Sequence, residues 1–239
     1  MSGETVMRFG CAACMDRTVI SPGLARRYFL TAGAAVAGAA ALAPRAARAQ
    51  STLTPDAALA ELTAGNARFA AARLASFKED LHILRTATVA KQEPFAAVLS
   101  CADSRVPPEL VFDQSLGRLF VTRVAGNIAT TDIIASLEYG AVVLGTRVIV
   151  VLAHQGCGAI KAAVAGQAVP GQISALFAPL QQAVEQGHHD YELTARLNAI
   201  IQAKLLAVAS PVLGDLIKQG KLKIVPAYYA LDTGRVTLL

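Results

Sequence analysis

The sequence has little net charge once its N-terminal segment is set aside. The 239 residues carry a formal net charge of +5, but residues 1–49 hold six basic and only two acidic side chains. Residues 50–239 therefore carry a net charge of +1, which excludes the strongly basic surface of a nucleic-acid-binding protein. This part also lacks internal repeats and low-complexity stretches, and its length suits one domain with a sizeable core.

The N-terminal segment lacks an apolar run long enough for a transmembrane helix. The run at 32–43 is rich in Ala and Gly and falls short of the ~20 residues that a spanning helix needs. An arginine pair in the string ARRYFLT precedes it, and the small-residue string Ala47-Arg48-Ala49 follows it. This order predicts a twin-arginine signal peptide over 1–49, with the twin-arginine translocase as partner during export. The mature protein is then periplasmic or secreted, with no stable membrane anchor after cleavage.

Cysteine is scarce. Two of the four cysteines lie in the predicted signal, which leaves Cys101 and Cys157 in residues 50–239. An even pair in an exported protein ordinarily predicts a disulfide. A disulfide, however, requires neither His154 three residues before Cys157 nor the charged string Asp-Ser-Arg after Cys101. A redox-sensing protein that uses the two cysteines as a switch stays an alternative.

Alternating strands and helices follow from residue 95. Apolar runs rich in Val, Ile and Leu predict strands at 95–100, 118–124, 147–153 and 222–229. Helical patterns lie between them, at 108–113, 131–144, from 158, and at 173–186, 191–209 and 212–219. The pattern predicts an α/β domain over 50–239, with a four-stranded parallel sheet flanked by helices.

Both ends of this domain carry further predicted elements. Thr54-Pro55-Asp56 is a helix start, with Thr as cap and Pro in the first turn. A second helix is predicted over 79–90. Because both precede the first strand, we expect these N-terminal helices to extend onto a partner subunit. After the turn at 232–234, residues 235–239 are predicted to add a C-terminal edge strand.

Two short strings carry the candidate chemistry. Cys101 follows the first predicted strand, and His154 and Cys157 follow the third. Ligands of open α/β sheets bind at the carboxyl ends of strands, so these side chains converge if the strands are neighbours. Two thiolates and an imidazole suit tetrahedral Zn²⁺ with a fourth position open to water, as in catalytic zinc sites. Asp103 and Arg105 add a charged pair that can orient this water, and together these residues predict a zinc hydrolytic or hydration enzyme.

The same strings resemble those of the β-class carbonic anhydrases. Cys101-x-Asp-Ser-Arg105 with His154-x-x-Cys157 is the zinc signature of that class, and the resemblance extends over essentially all of residues 50–239. It implies one Zn²⁺ per subunit and reversible hydration of CO₂ to bicarbonate, in which zinc-bound hydroxide attacks CO₂ and Asp103 and Arg105 orient it. It also implies a homodimer or homotetramer. Hydrolysis of COS or CS₂ on the same zinc site stays an alternative.

The resemblance assigns roles to further positions. Gln92 matches an amide that bonds substrate, Phe120 and Tyr139 match aromatics of the apolar pocket and dimer cleft, and Gly126 matches the loop after the second strand. Val98 departs from the family, since members inhibited by bicarbonate carry tryptophan there and this sequence has none. We therefore expect the state in which Asp103 pairs with Arg105 rather than with the metal.

Overall fold

A computed structural model describes residues 51–76, 86, 88–89 and 91–239 of the protein. The predicted signal peptide at 1–49 lies outside the described residues. Most of the predicted helix at 79–90 lies outside them as well.

The described residues form an α/β fold around one twisted sheet. Its strands are β1 (Ala96–Ser100), β2 (Leu119–Arg123), β3 (Val148–His154), β4 (Lys223–Tyr229) and β5 (Val236–Leu238), in the spatial order β2-β1-β3-β4-β5. The first four are parallel to one another, and β5 runs antiparallel to β4. The predicted parallel α/β sheet is thus confirmed.

The sheet has five strands rather than the four of the predicted parallel core, because the predicted C-terminal edge strand joins it. The additional strand is β5, which lies in the segment predicted to form a C-terminal edge. It is short and mostly exposed, so the turn at 232–234, and not a continuous apolar run, is the sequence feature that indicates it.

Helices cover both faces of the sheet. Every residue of β1 and β3 is buried, and alternate side chains enter two separate apolar clusters. Ala97 and Leu99 point into one cluster with Leu206, whereas Ala96 and Val98 point into the other with Leu62. Burial on both faces is why these strands read as unbroken apolar runs. The helices are α1 (Pro55–Ala70), α2 (Pro108–Val111), α3 (Thr131–Val142), α4 (Gly158–Ala165), α5 (Gln181–Gln186), α6 (Tyr191–Ala209) and α7 (Pro211–Lys218).

The first helix begins as its sequence predicts. The Thr54 hydroxyl accepts a hydrogen bond from the backbone N–H of Ala57 at 3.2 Å, and Pro55 fills the first turn. Ala58 and Leu62 are buried in the core of this same chain. Extension of the N-terminal helices onto a partner stays a prediction.

One predicted helix is broken. Residues 173–186 form two short 3₁₀ turns, Ile173–Leu176 and Ala178–Leu180, before α5 begins. Pro179 lacks a backbone N–H and cannot continue a helix that starts several residues earlier. Within the described residues no single helix is long and apolar enough to span a membrane, and α6 and α7 reach that length only as a pair bent by 94°.

Candidate metal centre

The parallel register of β1 and β3 brings the three predicted ligands together. Ser100, the last residue of β1, pairs with Leu152 of β3, so both strands end at the same edge of the sheet. Cys101 is the next residue after β1, and His154 is the last residue of β3. Cys157 follows after a short turn and caps the N-terminus of α4.

The three donor groups lie within reach of a single ion. The Cys101 and Cys157 sulfurs and a ring nitrogen of His154 all lie within 4.8 Å of one another, and all three residues are buried. The two Sγ atoms are 3.9 Å apart and form no disulfide. This set of two sulfurs and one imidazole suits Zn²⁺ and leaves one tetrahedral position free of protein ligands.

The orientation of His154 fits metal binding. Its Nδ1 lies 3.0 Å from the backbone carbonyl oxygen of Gln155, to which it donates a hydrogen bond. Its Nε2 is buried and has no hydrogen-bond partner among the described residues. A carbonyl on one ring nitrogen directs the lone pair of the other toward a metal. The residues present therefore fit a zinc ion.

The two thiols behave as a coupled pair. The hydrogen bond from Cys157 lowers the pKa of Cys101 to about 4, with further stabilisation of the thiolate by His154 and by backbone N–H groups. The pKa of Cys157 is raised because its thiol donates to Cys101 and because it is buried. The hydrogen bond between the two sulfurs thus favours a state in which the pair holds one proton.

Gly126 lies against the first sulfur. Its backbone N–H donates a hydrogen bond to the Cys101 Sγ at 3.3 Å. Gly126 and Asn127 both have left-handed backbone conformations, with φ of 77° and 44°, which Gly and Asn adopt more readily than other residues. The structure therefore places Gly126 in contact with Cys101, a predicted metal ligand, whereas its predicted contact with substrate stays a prediction.

Asp103 and Arg105 form a pair at the mouth of the site. The Arg105 Nε and Nη2 donate to the two Asp103 carboxylate oxygens at 2.9 and 2.8 Å, and the Arg105 backbone N–H donates at 3.0 Å. Arg105 holds the pKa of Asp103 well below its usual range. The Asp103 Oδ2 lies 3.9 Å from the His154 Nε2, so the carboxylate faces the metal position without bonding the imidazole.

Two residues that support the ligand loops were missed from the sequence. Arg123, at the end of β2, donates to the backbone carbonyls of Cys101 at 3.0 Å and Asp103 at 2.6 Å. Gln155 accepts hydrogen bonds from the backbone of Leu231 and Asp232 at 2.8 and 3.2 Å. Arg123 ends β2, the strand next to β1, and this position at the carboxyl edge of the sheet could have indicated its role.

The remaining predicted residues lie apart from the three donors. Gln92 is exposed and precedes the amino end of β1, whereas Cys101 follows the carboxyl end. Phe120 and Tyr139 form an aromatic pair with ring centroids 6.2 Å apart, and Tyr139 is 48% exposed. The described contacts do not bring these side chains to the metal site of their own chain.

The structure thus combines a largely parallel α/β sheet with a Cys₂His cluster at its carboxyl edge that could hold a metal ion. The carbonic anhydrase family profile matches residues 96–236. Carbonic anhydrase 2 of Mycobacterium tuberculosis is 35% identical over 194 residues, which cover 77% of this chain and 92% of the mycobacterial protein. This chain belongs to the carbonic anhydrase family and to its β class, and it is an enzyme of that family.

Solved structures agree with this assignment. The Coccomyxa β-carbonic anhydrase in complex with acetazolamide is 27% identical, with a TM-score of 0.58 over 67% of this chain and 80% of its own. A tetrameric β-carbonic anhydrase of Sordaria macrospora is 20% identical, with a TM-score of 0.61 over 90% of this chain and 97% of its own, and it supports the fold alone.

Proposed function

We propose that the protein catalyses the reversible hydration of CO₂ to bicarbonate with one Zn²⁺ per subunit, held by Cys101, His154 and Cys157. Two observations carry this proposal: the buried His154 Nε2 has no hydrogen-bond partner among the described residues, and a ring nitrogen of His154 lies within 4.8 Å of both sulfurs. A buried nitrogen without a partner is costly unless a ligand satisfies it. Zinc at this position supplies Lewis-acid chemistry that makes water a nucleophile at neutral pH.

The Asp103 carboxylate orients the reacting water. It accepts three hydrogen bonds from Arg105, which keep it ionised, and its Oδ2 still faces the space beside the His154 Nε2. An ionised carboxylate accepts hydrogen bonds but donates none. A water that donates to Asp103 therefore has a fixed orientation, with a lone pair directed toward CO₂. Arg105 also donates to the Gly156 carbonyl at 3.3 Å and so ties this pair to the second ligand loop.

The substrate contacts predicted for Gln92, Phe120 and Tyr139 require a second copy of the chain. β1 separates Gln92 from Cys101, and its five residues span about 16 Å at ~3.3 Å each. Gln92 can therefore contact a metal site only on another subunit, so its predicted role depends on the expected homodimer or homotetramer. The exposed aromatic ring of Tyr139 beside the edge strand β2 is a suitable contact for such a partner.

We also propose export by the twin-arginine route, supported by the sequence of residues 25–49. This route carries folded proteins, so the thiolates can bind metal in the reducing cytoplasm before export. Cell fractionation tests it: the wild-type protein is expected in the periplasm or medium, and a variant with Arg26→Lys and Arg27→Lys is expected to stay in the cytoplasm.

The function is tested by metal analysis and stopped-flow CO₂ hydration on the purified protein. We expect about one zinc per chain and hydration that acetazolamide inhibits. Parallel assays with COS and CS₂ distinguish hydrolysis of these substrates from CO₂ hydration. A metal-free protein in which Cys101 and Cys157 form a disulfide would contradict the proposal and favour a redox role.

A further inference from the structure

Two buried amide side chains on α6 contact the loop beside the metal site. Asn198 and Gln202 lie one helical turn apart, and both are almost completely buried. The Gln202 Nε2 donates to the Asn198 Oδ1 at 3.1 Å and to the Pro179 carbonyl at 3.1 Å. Because the Asn198 oxygen accepts this bond, its Nδ2 faces the other way, toward the loop.

The Asn198 Nδ2 donates to the backbone carbonyl of Gly126 at 2.8 Å. Three residues further along the chain, the Gln202 Oε1 accepts a hydrogen bond from the backbone N–H of Ala129 at 2.9 Å. Both ends of the segment 126–129 are thus hydrogen-bonded to α6, which packs against β3 and β4 of the sheet. The Gly126 N–H, in turn, is the group that donates to the Cys101 sulfur.

The hydrogen bond from Asn198 matters because residue 126 is a glycine. The N–H and the carbonyl of Gly126 belong to two adjacent peptide planes that rotate easily about a residue with no side chain. Without a bond to the carbonyl, nothing in the covalent structure aims the N–H at the sulfur. The left-handed φ of 77° and the packing against Leu180 and Ala159 favour glycine here. The peptide that carries the Gly126 carbonyl is held by two hydrogen bonds, one from Asn198 to this carbonyl and one from the Asn127 N–H to the Val124 carbonyl at 2.9 Å.

We propose that Asn198, supported by Gln202, is a positioning residue that sets the hydrogen bond from Gly126 to the Cys101 thiolate and thereby tunes the metal centre. This inference rests on the proposed function, in which Cys101 binds zinc. A hydrogen bond to a thiolate withdraws electron density from sulfur, so the ligand donates less charge to the metal. Losing that bond makes the sulfur a stronger donor and the metal a weaker Lewis acid.

The test replaces zinc by Co²⁺ in the purified full-length protein, because the thiolate-to-cobalt charge-transfer band reports directly on the sulfur. In Asn198→Ala we expect this band to move to longer wavelength, since the sulfur holds its electrons less tightly. Amide hydrogen exchange at Gly126, measured by NMR on the zinc protein, should become faster. Turnover should fall about tenfold, with about one metal still bound per chain.

Thr194→Val is the matched control. Thr194 lies one turn before Asn198 on the same helix, is fully buried, and has a hydroxyl with no hydrogen-bond partner among the described residues. We expect this variant to leave the cobalt band, the Gly126 exchange rate and turnover unchanged. Asn198→Ser, which keeps a polar group but is too short for the direct bond, replaces Asn198→Ala if the latter does not fold.

The outcomes separate the two proposals. If the wild-type protein binds no cobalt or shows no charge-transfer band, the proposed metal centre is wrong. If the wild-type band is present but neither the band nor the Gly126 exchange rate differs between the Asn198 variant and Thr194→Val, only the positioning role is wrong. A shift in both readouts in the Asn198 variant alone supports that role.

Discussion

The two parts of the candidate site are held in different ways. Cys101, His154 and Cys157 are buried, and two neighbouring strands of the core fix their positions. Asp103 and Arg105 lie at the mouth, where the Arg105 side chain is 54% exposed and bonds a residue two positions away. Under the proposed function, sheet packing determines where the metal binds, whereas a short loop determines how water and substrate approach the metal. Substitutions in these two parts of the site should therefore have different effects on metal content and turnover.

The largest effect is expected at the buried donors. Cys157→Ser replaces a soft sulfur by a poor zinc ligand, so the variant should lose most of its zinc and its turnover should fall by about a thousandfold or more. Metal analysis and stopped-flow hydration measure the two losses, and circular dichroism checks the fold. Retained zinc with near-normal turnover would show that the third donor lies elsewhere.

Substitution of the Asp103–Arg105 pair should lower turnover without loss of metal. Asp103→Asn keeps the size of the side chain and removes its charge, so turnover should fall about a hundredfold with zinc unchanged. Asp215→Asn, which removes an exposed carboxylate that pairs with Lys218 at 3.3 Å, is the matched control and should leave turnover unaltered. Normal turnover of Asp103→Asn would mean that the carboxylate does not orient the reacting water.

Arg123 links the two parts, because it bonds the backbone of both Cys101 and Asp103. Arg123→Met should lower turnover about tenfold without loss of zinc, since the loop loses two charged donors. Arg118→Met removes an arginine from the amino end of the same strand, where it stacks on Phe95 at 4.8 Å. We expect this control to have normal kinetics, and an equal loss in both variants would indicate a general effect on β2.

The smallest effect concerns the protonation of the sulfurs. The pKa of Cys101 is lowered to about 4 and that of Cys157 is raised, so the Cys101 thiolate persists above about pH 4 and disappears below it. Absorbance at 240 nm of the metal-free protein should therefore show about one thiolate per chain from about pH 5 to 9. In Cys157→Ser the hydrogen-bond donor changes, and the transition should move to higher pH. Two independent transitions near the usual thiol pKa would contradict the coupling.

Much of the fold and of the donor set follows from the sequence, because both rest on strong local patterns. Four buried parallel strands appear as unbroken apolar runs, and Cys101, His154 and Cys157 follow directly from where two of them end. The fifth strand is short and mostly exposed, so it lacks an apolar run and is predicted from the turn that precedes it. Pro179 divides the predicted helix at 173–186.

The supporting residues could not be predicted in the same way. Arg123, Asn198 and Gln202 act through backbone groups that are 20 to 73 positions away in the sequence. A lone arginine at a strand end or an amide on a helix reads as an ordinary polar residue until the register and packing are known. Gln92 differs from these residues, because the sequence predicts a role for it that a single chain does not test. That role depends on a second copy of the chain.

The single proton shared by the two sulfurs has a consequence for how the protein acquires its metal. At neutral pH one sulfur is already charged, so cation capture has to expel only one proton from the pair. The contribution of the sulfurs to apparent affinity should then change about tenfold for each unit of acidity. A cell compartment that acidifies would release the ion gradually rather than abruptly.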